Sequence, residues 1–328
     1  MKTALIGAGV IGNVHAKTMA ALSRPFDAIC DIDEKKAADL AALTSPDAKI
    51  YTDFENLIKE FAPDTIHICT PHVLHAPQVI YALERGINVL CEKPLCAHPE
   101  QLEDILKAEE RSSAMLGVSQ QNRYNESVLF AKEFLKDKKI ISGHGSVCWC
   151  RDERYYSESP WRAKLSEAGG GVLINQALHT LDLLQSFCGM PEKITARADI
   201  LWRKPDVEVE DTVSAVFSHE NGMRYTFFAT SCNVINFPVQ LNFYLEGGDH
   251  LLVLLNSVSL NGKTIFEVEK KTAPIGKSYY GSGHFPLFAD YYDCLETGRK
   301  FSIDGKEAAK VMKLIFGVYA SGGNEIQI

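Results

Sequence analysis

A glycine-spaced turn near the start of the chain, Gly7-Ala8-Gly9-Val10-Ile11-Gly12, constrains the fold more than any other feature. A short apolar run, Thr3 to Ile6, precedes it, and a helical pattern from Val14 to Leu22 follows. A second apolar run, Phe26 to Cys30, leads into Asp31. Strand, glycine turn, helix, strand and acid in this order are typical of a βαβ unit that binds a dinucleotide.

Each glycine of this turn has its own steric reason. We expect Gly7 to permit the tight turn, Gly9 to let the backbone approach a pyrophosphate, and Gly12 to let the helix pack closely on the strand. The helix then presents free N–H groups and a partial positive charge to the phosphates. The residues expected to contact the cofactor here are Gly7, Gly9, Val10, Ile11 and Gly12.

The acid at the end of the second strand indicates which dinucleotide is bound. The carboxylate of Asp31 can accept hydrogen bonds from both ribose hydroxyls and repels a 2′-phosphate. The three residues after it supply no arginine, and the two lysines that follow are expected to lie solvated on the next helix. The electrostatics therefore favour NAD over NADP.

Length and composition are those of an ordinary globular protein with two domains. The 328 residues exceed what one hydrophobic core usually organises, and the contents of 46% hydrophobic and 23% charged residues are typical of folded chains. The net charge of −8 argues against a nucleic acid or an anionic membrane as partner. No apolar run is long enough to span a bilayer, and polar Asn13, His15 and Lys17 argue against a cleaved leader.

Cysteine usage indicates the compartment. The nine cysteines are scattered, their number is odd, and no pair has the spacing of a zinc ribbon, so no metal is expected. Cys30 and Cys69 lie inside apolar runs, which favours buried free thiols. We therefore expect a reducing compartment and a cytoplasmic protein.

The order of predicted elements divides the chain near residue 121. Strands and helices alternate up to the strand Met115 to Ser119, which predicts right-handed crossovers and a parallel, doubly wound sheet. Beyond it, extended segments and turns such as Asn261-Gly262 predict a large open, mainly antiparallel sheet, with Gly143 to Arg151 as an exposed edge strand. We expect an α/β protein with a Rossmann domain at 1–121 and a second α/β domain at 122–328.

Two segments carry candidate chemistry. Glu92-Lys93-Pro94 follows the predicted strand Ile87 to Cys91, and ligands of parallel sheets bind beyond the carboxyl ends of the strands. Lys93 is therefore a candidate proton or hydrogen-bond donor to a carbinol or carbonyl oxygen. A surface turn with an ion pair is the alternative interpretation of this tripeptide.

The second segment runs from a triple glycine, Gly169 to Gly171, to Asp182. The spacing of Asn175, His179 and Asp182 predicts that they share one face of a helix. The glycines would let a ligand or another backbone come close to the start of that helix. His179 is a candidate general base near neutral pH, and a purely structural histidine is the alternative.

Together these motifs resemble the glucose–fructose oxidoreductase, inositol dehydrogenase and MocA (Gfo/Idh/MocA) family over nearly the whole chain. The motifs that carry the resemblance are the glycine turn followed by His15, Thr70-Pro71 with His75, Glu92-Lys93-Pro94, Asn122-Arg123-Tyr124, Trp161-Arg162, Gly169 to His179, Gly283-His284 and Gly298-Arg299. The resemblance implies NAD(P)-dependent oxidation or reduction of a sugar, sugar derivative or cyclitol. It also implies a homodimer or homotetramer, and a small molecule as the binding partner.

The resemblance also implies site residues. Thr70, Pro71, His75, Glu92 and Lys93 join the cofactor set, and Lys93, His179 and Asn175 form the catalytic set. Many relatives have aspartate where this chain has Asn175, so His179 lacks a negative neighbour that would raise its basicity. The residues expected to line the substrate pocket, besides Asn175 and His179, are Arg123, Tyr124, Tyr156, Trp161, Arg162 and His284, since aromatic faces suit sugar rings and arginine suits a carboxylate or phosphate.

Two other functions stay open at this point. A non-catalytic regulator or sensor could use the same fold to bind NAD, because fold does not determine function. An NAD-dependent glycosidase would use the cofactor transiently and return it unchanged. The presence of both Lys93 and His179 favours an enzyme, since a sensor needs neither proton-transfer group.

Overall fold

The computed structural model describes residues 1–202, 206–269, 275 and 281–328, which form two compact units. The first unit comprises Met1–Gln121 and the described part of Ala273–Ala309. The second unit comprises the described part of Asn122–Thr272 together with Lys310–Ile328. Among the described residues, no helix is both long and apolar enough to cross a bilayer.

The first unit is built on a parallel sheet of six strands. The strands are β1 (Thr3–Ile6), β2 (Ala28–Cys30), β3 (Lys49–Tyr51), β4 (Thr65–Ile68), β5 (Asn88–Glu92) and β6 (Leu116–Ser119), in the spatial order β3-β2-β1-β4-β5-β6. Every residue of β1 and β4 is buried, as expected for strands with both faces covered. The strand order reverses between β1 and β4, where sheets of this type hold ligands beyond their carboxyl ends. The predicted doubly wound sheet is confirmed.

Helices connect these strands, and an aspartate side chain caps the N-terminus of two of the helices. The helices of the first unit are α1 (Val10–Ala21), α2 (Glu34–Thr44), α3 (Phe54–Phe61), α4 (His75–Leu83), α5 (Pro99–Arg111) and, later in the chain, α10 (His284–Thr297). The Asp33 carboxylate accepts from the backbone N–H of Lys36, and Asp53 accepts from that of Asn56. These bonds satisfy N–H groups that a helix start leaves unpaired, so α2 and α3 begin where an acid precedes them.

The second unit is built on a mixed sheet of nine strands. The strands are β7 (Ile140–Cys148), β8 (Lys193–Asp199), β9 (Thr212–Ser218), β10 (Arg224–Thr230), β11 (Gln240–Leu245), β12 (His250–Val253), β13 (Ser257–Leu260), β14 (Lys263–Glu267) and β15 (Glu325–Gln327), in the order β14-β13-β12-β11-β7-β10-β9-β8-β15. Strands β7 and β10 run parallel, and the other neighbouring strands run antiparallel. The predicted mainly antiparallel sheet is confirmed.

The remaining helices belong mostly to the second unit. They are α6 (Glu126–Leu135), α7 (Glu153–Ser157), α8 (Leu165–Ala168), α9 (Leu178–Cys188) and α11 (Gly305–Ser321). Helix α9 packs on β7, β10 and β11 and buries one face of the sheet. Alternate residues along β9 and β10 are therefore buried, and the residues between them are partly or fully exposed.

The prediction of an exposed edge strand at Gly143 to Arg151 is wrong. Strand β7 occupies Ile140–Cys148 and lies inside the sheet, between β11 and β10. Its glycines face α9, and a Cβ atom at Gly145 would lie 2.6 Å from Leu184 Cδ1. Glycines weaken the interior of a strand, which favoured an edge position in the prediction. In the structure they let α9 lie directly on the centre of the sheet.

Candidate active site

The glycine turn has the geometry that each glycine was predicted to serve. Gly7 has φ +96°, and a Cβ atom there would lie 2.7 Å from the Cys69 carbonyl oxygen. A Cβ atom on Gly12 would collide with the Gly7 carbonyl oxygen. A Cβ atom on Gly9, by contrast, would have no heavy atom within 4 Å. Gly7 and Gly12 therefore close the turn, and Gly9 leaves open space in front of it.

The start of α1 suits an anion. Gly9 occupies the N-cap position without any side-chain cap, and the first turn of α1 contains no acidic residue. The backbone N–H groups there are the donors that a phosphate uses at a helix start. Val10, in that first turn, is 56% exposed. Open space, uncapped N–H groups and a first helical turn without acidic residues fit a pyrophosphate.

Asp31 lies at the end of β2 and is held by two backbone groups. Its Oδ2 accepts from the Ala8 N–H at 2.7 Å, and its Oδ1 accepts from the Asp33 N–H at 2.9 Å. The carboxylate is therefore fixed next to the glycine turn, where a ribose is bound in folds of this kind. The neighbouring Ile32 is 94% exposed and offers an apolar side chain beside that position.

Two loops at the carboxyl edge of the sheet are tied together by His75. Its Nδ1 lies 2.7 Å from the Pro94 carbonyl oxygen, and its Nε2 lies 2.8 Å from the Thr70 carbonyl oxygen. Burial lowers the pKa of His75, although both carbonyl groups act in the opposite direction. The Thr70 hydroxyl donates to Gln78 Oε1 at 2.8 Å. His75 is thus a buried link between the Thr70-Pro71 loop and the Glu92-Lys93-Pro94 loop.

Glu92 is the last residue of β5, and Lys93 follows it with its side chain partly exposed. The Glu92 carboxylate is buried, and its Oε1 lies 2.8 Å from His15 Nε2. Burial raises the pKa of Glu92, but the hydrogen bond from His15 and the electrostatic influence of His15, His284 and Lys93 outweigh it and hold the pKa well below its usual value. Glu92 is therefore a buried negative charge directly before Lys93.

His284, predicted to line the substrate pocket, lies in the first unit at the start of α10, beside His15 and Glu92. One donor atom from each of these three residues lies within 4.8 Å of those of the other two. Burial is the main reason that the pKa of His284 falls to about 4. The separation of 2.8 Å between His15 and Glu92 is that of a hydrogen bond.

In the second unit, the segment that carries Asn175 differs from a regular helix. Leu173–Ala177 forms a π-helical turn, and the α-helical geometry of α9 begins at Leu178. Asn175 and His179 are both half-buried, and Asp182 is buried. A π-turn shifts the phase of the residues before it, and such turns are frequent at functional sites.

Arg123 and Asp182 form a paired charge inside the second unit. Arg123 Nε donates to Asp182 Oδ2 at 2.7 Å, and Nη2 donates to Oδ1 at 2.6 Å. Both side chains are largely buried, and a two-pronged pair of this kind is strong and directional. Asp182 therefore pairs with Arg123, and it lies three residues after His179 on α9.

Glu210 holds the start of the π-turn, and the sequence analysis did not find it. Its carboxylate accepts from the backbone N–H of Gly171 at 2.6 Å and of Leu173 at 3.0 Å, and from the Tyr319 hydroxyl at 3.0 Å. A Cβ atom on Gly171 would collide with the Glu210 backbone, and one on Gly170 would collide with the Tyr319 hydroxyl. The glycine run was predicted to let either a ligand or another backbone come close. The structure shows the close approach of another backbone, that of Glu210.

The other predicted pocket residues of the second unit differ in exposure. Tyr156 is buried with Ala163 and Val209, and burial is the main cause that raises its pKa to about 12. Tyr124, Trp161 and Arg162 are half-buried. The Arg162 guanidinium lies 5.6 Å from the Trp161 ring centre and 4.5 Å from that of Tyr155. Tyr156 therefore occupies a core position, whereas the other three form a partly accessible group.

Comparisons with known proteins agree with this arrangement. Residues 1–120 match the family described as "Oxidoreductase family, NAD-binding Rossmann fold", and residues 131–249 match the "GFO/IDH/MocA C-terminal domain". The D-glucoside 3-dehydrogenase of Escherichia coli (strain K12) is 24% identical over 347 residues, which cover 92% of this chain and 97% of that protein. The 2,7-anhydro-N-acetylneuraminate hydratase of Mediterraneibacter gnavus is 27% identical over 178 residues, 49% of this chain and 46% of that protein.

Among solved structures, the WlbA dehydrogenase from Bordetella pertussis, in complex with NADH and UDP-GlcNAcA, has the same fold. It is 24% identical, with a TM-score of 0.87, and the likeness covers 100% of this chain and 98% of that one. The open glycine turn and the fixed Asp31 carboxylate fit the NAD that this type of first unit binds. The chain belongs to the Gfo/Idh/MocA family of NAD-binding oxidoreductases.

Proposed function

We propose that this protein is an NAD-dependent dehydrogenase that acts on a secondary hydroxyl of a sugar, sugar derivative or cyclitol. One observation carries the proposal: the open glycine turn, the Asp31 carboxylate and Lys93 all follow strands of one parallel sheet, at its carboxyl edge. A cofactor site and a proton-transfer group at one edge are what such an oxidation requires. The likeness to a D-glucoside dehydrogenase over most of both chains supports a carbohydrate-like substrate.

NAD, when bound, accepts the hydride that the substrate carbon loses. The residues of this chain supply the rest of the chemistry. Lys93 hydrogen-bonds the reacting oxygen and stabilises the charge that develops on it as the hydroxyl proton leaves. His179 takes or relays that proton, and Asn175 orients a neighbouring hydroxyl. Arg162 and Trp161 are candidates to contact the rest of the substrate, because they form a partly exposed cationic and aromatic group.

NAD is favoured over NADP by the same argument that predicted it from the sequence. The Asp31 carboxylate is held by two backbone N–H groups, so it cannot readily turn away from a 2′-phosphate. A negative charge at a fixed position repels that phosphate. The exposed side chain of Ile32 gives the adenine ring an apolar surface.

A second candidate function is a reaction without net oxidation, such as hydration or glycoside cleavage, in which NAD is reduced and then reoxidised. The similarity to a hydratase over about half of each chain favours this candidate. The residues would be the same, since transient oxidation of a hydroxyl needs the same proton transfers. The two candidates differ in whether NADH accumulates.

The deciding experiment incubates the full chain and NAD with a panel of sugars, glycosides, sugar acids and inositols. Growth of the NADH absorbance with at least one substrate class is the expected result. Chromatography of the same reactions detects products that form without NADH, which would favour the second candidate. Binding of NAD without any product from the whole panel would favour a sensor and overturn the proposal. Lys93→Met, expected to bind NAD without turnover, is the control for contaminating activity.

We also propose a cytoplasmic homodimer or homotetramer. All nine cysteines are free thiols, which suits a reducing compartment. Val216, Phe228 and Tyr244 lie on strands of the nine-stranded sheet and are between 37% and 45% exposed, so they give that sheet apolar surface for a second copy. Light scattering of the purified chain tests the assembly, and a monomer at micromolar concentration would contradict it.

A further inference from the structure

Four buried polar side chains form a hydrogen-bonded chain inside the first unit, from α10 to the end of β5. Tyr292 Oη lies 3.0 Å from His67 Nε2, His67 Nδ1 lies 2.9 Å from His15 Nδ1, and His15 Nε2 lies 2.8 Å from Glu92 Oε1. All four side chains are almost fully buried. Burying four polar groups costs free energy unless each is paired. The proposed chemistry uses none of the first three, so their place beside Glu92 needs another reason.

The carboxylate determines the direction of the first bond in this hydrogen-bonded chain. An ionised Glu92 can only accept, so His15 Nε2 carries a proton. Where His67 donates from Nδ1, His15 accepts at its own Nδ1 and the Nε2 of His67 accepts from the Tyr292 hydroxyl. Burial is the main cause that lowers the pKa of His67 and raises that of Tyr292, so the imidazole stays neutral and the phenol stays protonated. One tautomer of each imidazole ring is thus enough to pair the polar side-chain atoms of the hydrogen-bonded chain.

The titratable groups near Lys93 come from several elements of the first unit. Glu92 precedes it on β5, His15 comes from α1, His75 from α4 and His284 from α10. The electrostatic influence of Lys93 is felt at Glu92, His75 and His284. Of these groups, Glu92 carries the negative charge, and a negative neighbour stabilises an ammonium group. The orientation of the Glu92 carboxylate therefore bears directly on Lys93.

We propose that His15, His67 and Tyr292 are positioning residues for Lys93: their hydrogen-bonded chain holds the Glu92 carboxylate, ionised and in one orientation, beside the Lys93 ammonium. The effect on turnover rests on the proposed function, in which Lys93 meets the reacting oxygen. The effect on the pKa of Lys93 does not rest on the proposed function, because Lys93 and every member of the hydrogen-bonded chain belong to the first unit.

The test measures the pKa of Lys93 by NMR in the full chain with isotope-labelled lysine, the signal being assigned by its loss in Lys93→Arg. His15→Met removes the donor to Glu92 and keeps a side chain of similar length. His15→Gln restores an N–H group near the position of Nε2. Tyr292→Phe removes only the hydroxyl at the far end. The matched control is Tyr291→Phe, because Tyr291 lies on the same helix and is equally buried. Its hydroxyl is hydrogen-bonded to Thr65, which is not a member of the hydrogen-bonded chain.

We expect His15→Met to lower the pKa of Lys93 by about one unit, because the Glu92 carboxylate without its donor loses its fixed orientation and stabilises the ammonium group less. In His15→Gln, the pKa of Lys93 should return most of the way to the wild-type value. Tyr292→Phe should lower the pKa of Lys93, but by less than His15→Met does. Tyr291→Phe should leave it unchanged. The pH profile of kcat/KM should follow the same order among the variants.

Two results would overturn the proposal. One is an unchanged pKa of Lys93 in a His15→Met protein that still folds and binds NAD. The other is a shift in Tyr291→Phe as large as that in Tyr292→Phe. If His15→Met does not fold, the comparison of the two tyrosine variants decides. If the pKa of Lys93 moves as expected but no substrate is turned over, the proposed function fails and the positioning role stands.

Discussion

Lys93 is partly exposed at the carboxyl end of β5, and the buried Glu92 carboxylate directly precedes it. In the proposed reaction, this contrast would leave the Lys93 ammonium accessible while its counter-charge is shielded from water. His15, His67 and His75 are buried, each within hydrogen-bonding distance of partners that hold the loops in place. At the scale of single residues, the site combines a few accessible reactive groups with a larger number of buried polar supports.

The first prediction concerns Lys93→Met. The substitution should lower kcat at least about 100-fold, because it removes the group that donates to the reacting oxygen. NAD affinity should change little, since the turn and Asp31 are untouched. Steady-state kinetics and calorimetric titration of NAD check both parts, and near-native turnover would remove Lys93 from the mechanism.

The second prediction concerns cofactor choice. Asp31→Ala should weaken NAD binding about tenfold or more, because hydrogen bonds to a charged group are lost. NADP binding should weaken less or improve, since the repulsion of its 2′-phosphate is removed. Dissociation constants for both cofactors measure this. Glu34→Ala, which removes a neighbouring acid at an exposed position, is the control, and an unchanged ratio of the two affinities would contradict the argument.

At the scale of elements, two features were not predictable from local pattern. The π-turn Leu173–Ala177 begins where Glu210, far along the chain, accepts from the backbone N–H groups of Gly171 and Leu173. The central position of β7 depends on the packing of α9 against glycines that locally resemble an edge strand. Strands β13, β14 and β15 are three to five residues long, too short for their alternation to stand out. The π-turn and the central position of β7 both depend on partners distant in sequence.

The third prediction tests the anchor of the π-turn. Glu210→Gln should destabilise the protein by about 1–3 kcal/mol, because an amide in place of the carboxylate leaves a buried backbone N–H unpaired. It should also lower turnover, through the displacement of Asn175. Glu208→Gln is the matched control, since Glu208 pairs with Lys164 at an exposed position. Urea unfolding measures the stability, and equal effects of the two substitutions would contradict the anchoring role.

The fourth prediction tests the close packing of α9 on β7. Gly145→Ala should destabilise the protein by about 1–3 kcal/mol, because the added methyl group meets the buried Leu184 side chain. Ser146→Ala, on the opposite and more exposed side of the same strand, should change the free energy of unfolding by less than about 0.5 kcal/mol. Thermal or urea unfolding of both variants decides.

At the scale of the whole molecule, buried histidines make folding sensitive to acid. His284 has its pKa lowered from 6.5 to about 4, and the pKa values of His67 and His75 are lowered too. The unfolded chain therefore binds more protons than the folded one in this window, so stability rises with pH there and falls as the pH drops from about 6.5 to 4. The depressed pKa of Glu92 acts in the same direction at lower pH.

The fifth prediction follows from this linkage. Between pH 6.5 and 4, His284 alone should remove about 3 kcal/mol of stability, at about 1.4 kcal/mol for each unit of pKa shift. Urea midpoints measured across the window check the slope, and His284→Phe, which cannot titrate, should flatten it. A wild-type midpoint that stays constant over this range would contradict the prediction.

The sequence by itself determined the parallel sheet, the glycine turn, the acid at Asp31 and the place of Lys93 directly after β5. These depend on interactions within a few residues, namely backbone freedom at glycine, helix capping and the apolar runs of buried strands. Tertiary structure alone decided that His284 lies with Glu92, that Asp182 pairs with Arg123, and that Glu210 holds the π-turn. Those contacts join residues far apart in the chain, and a buried charge or amide takes whichever partner the packing of distant elements places within hydrogen-bonding distance.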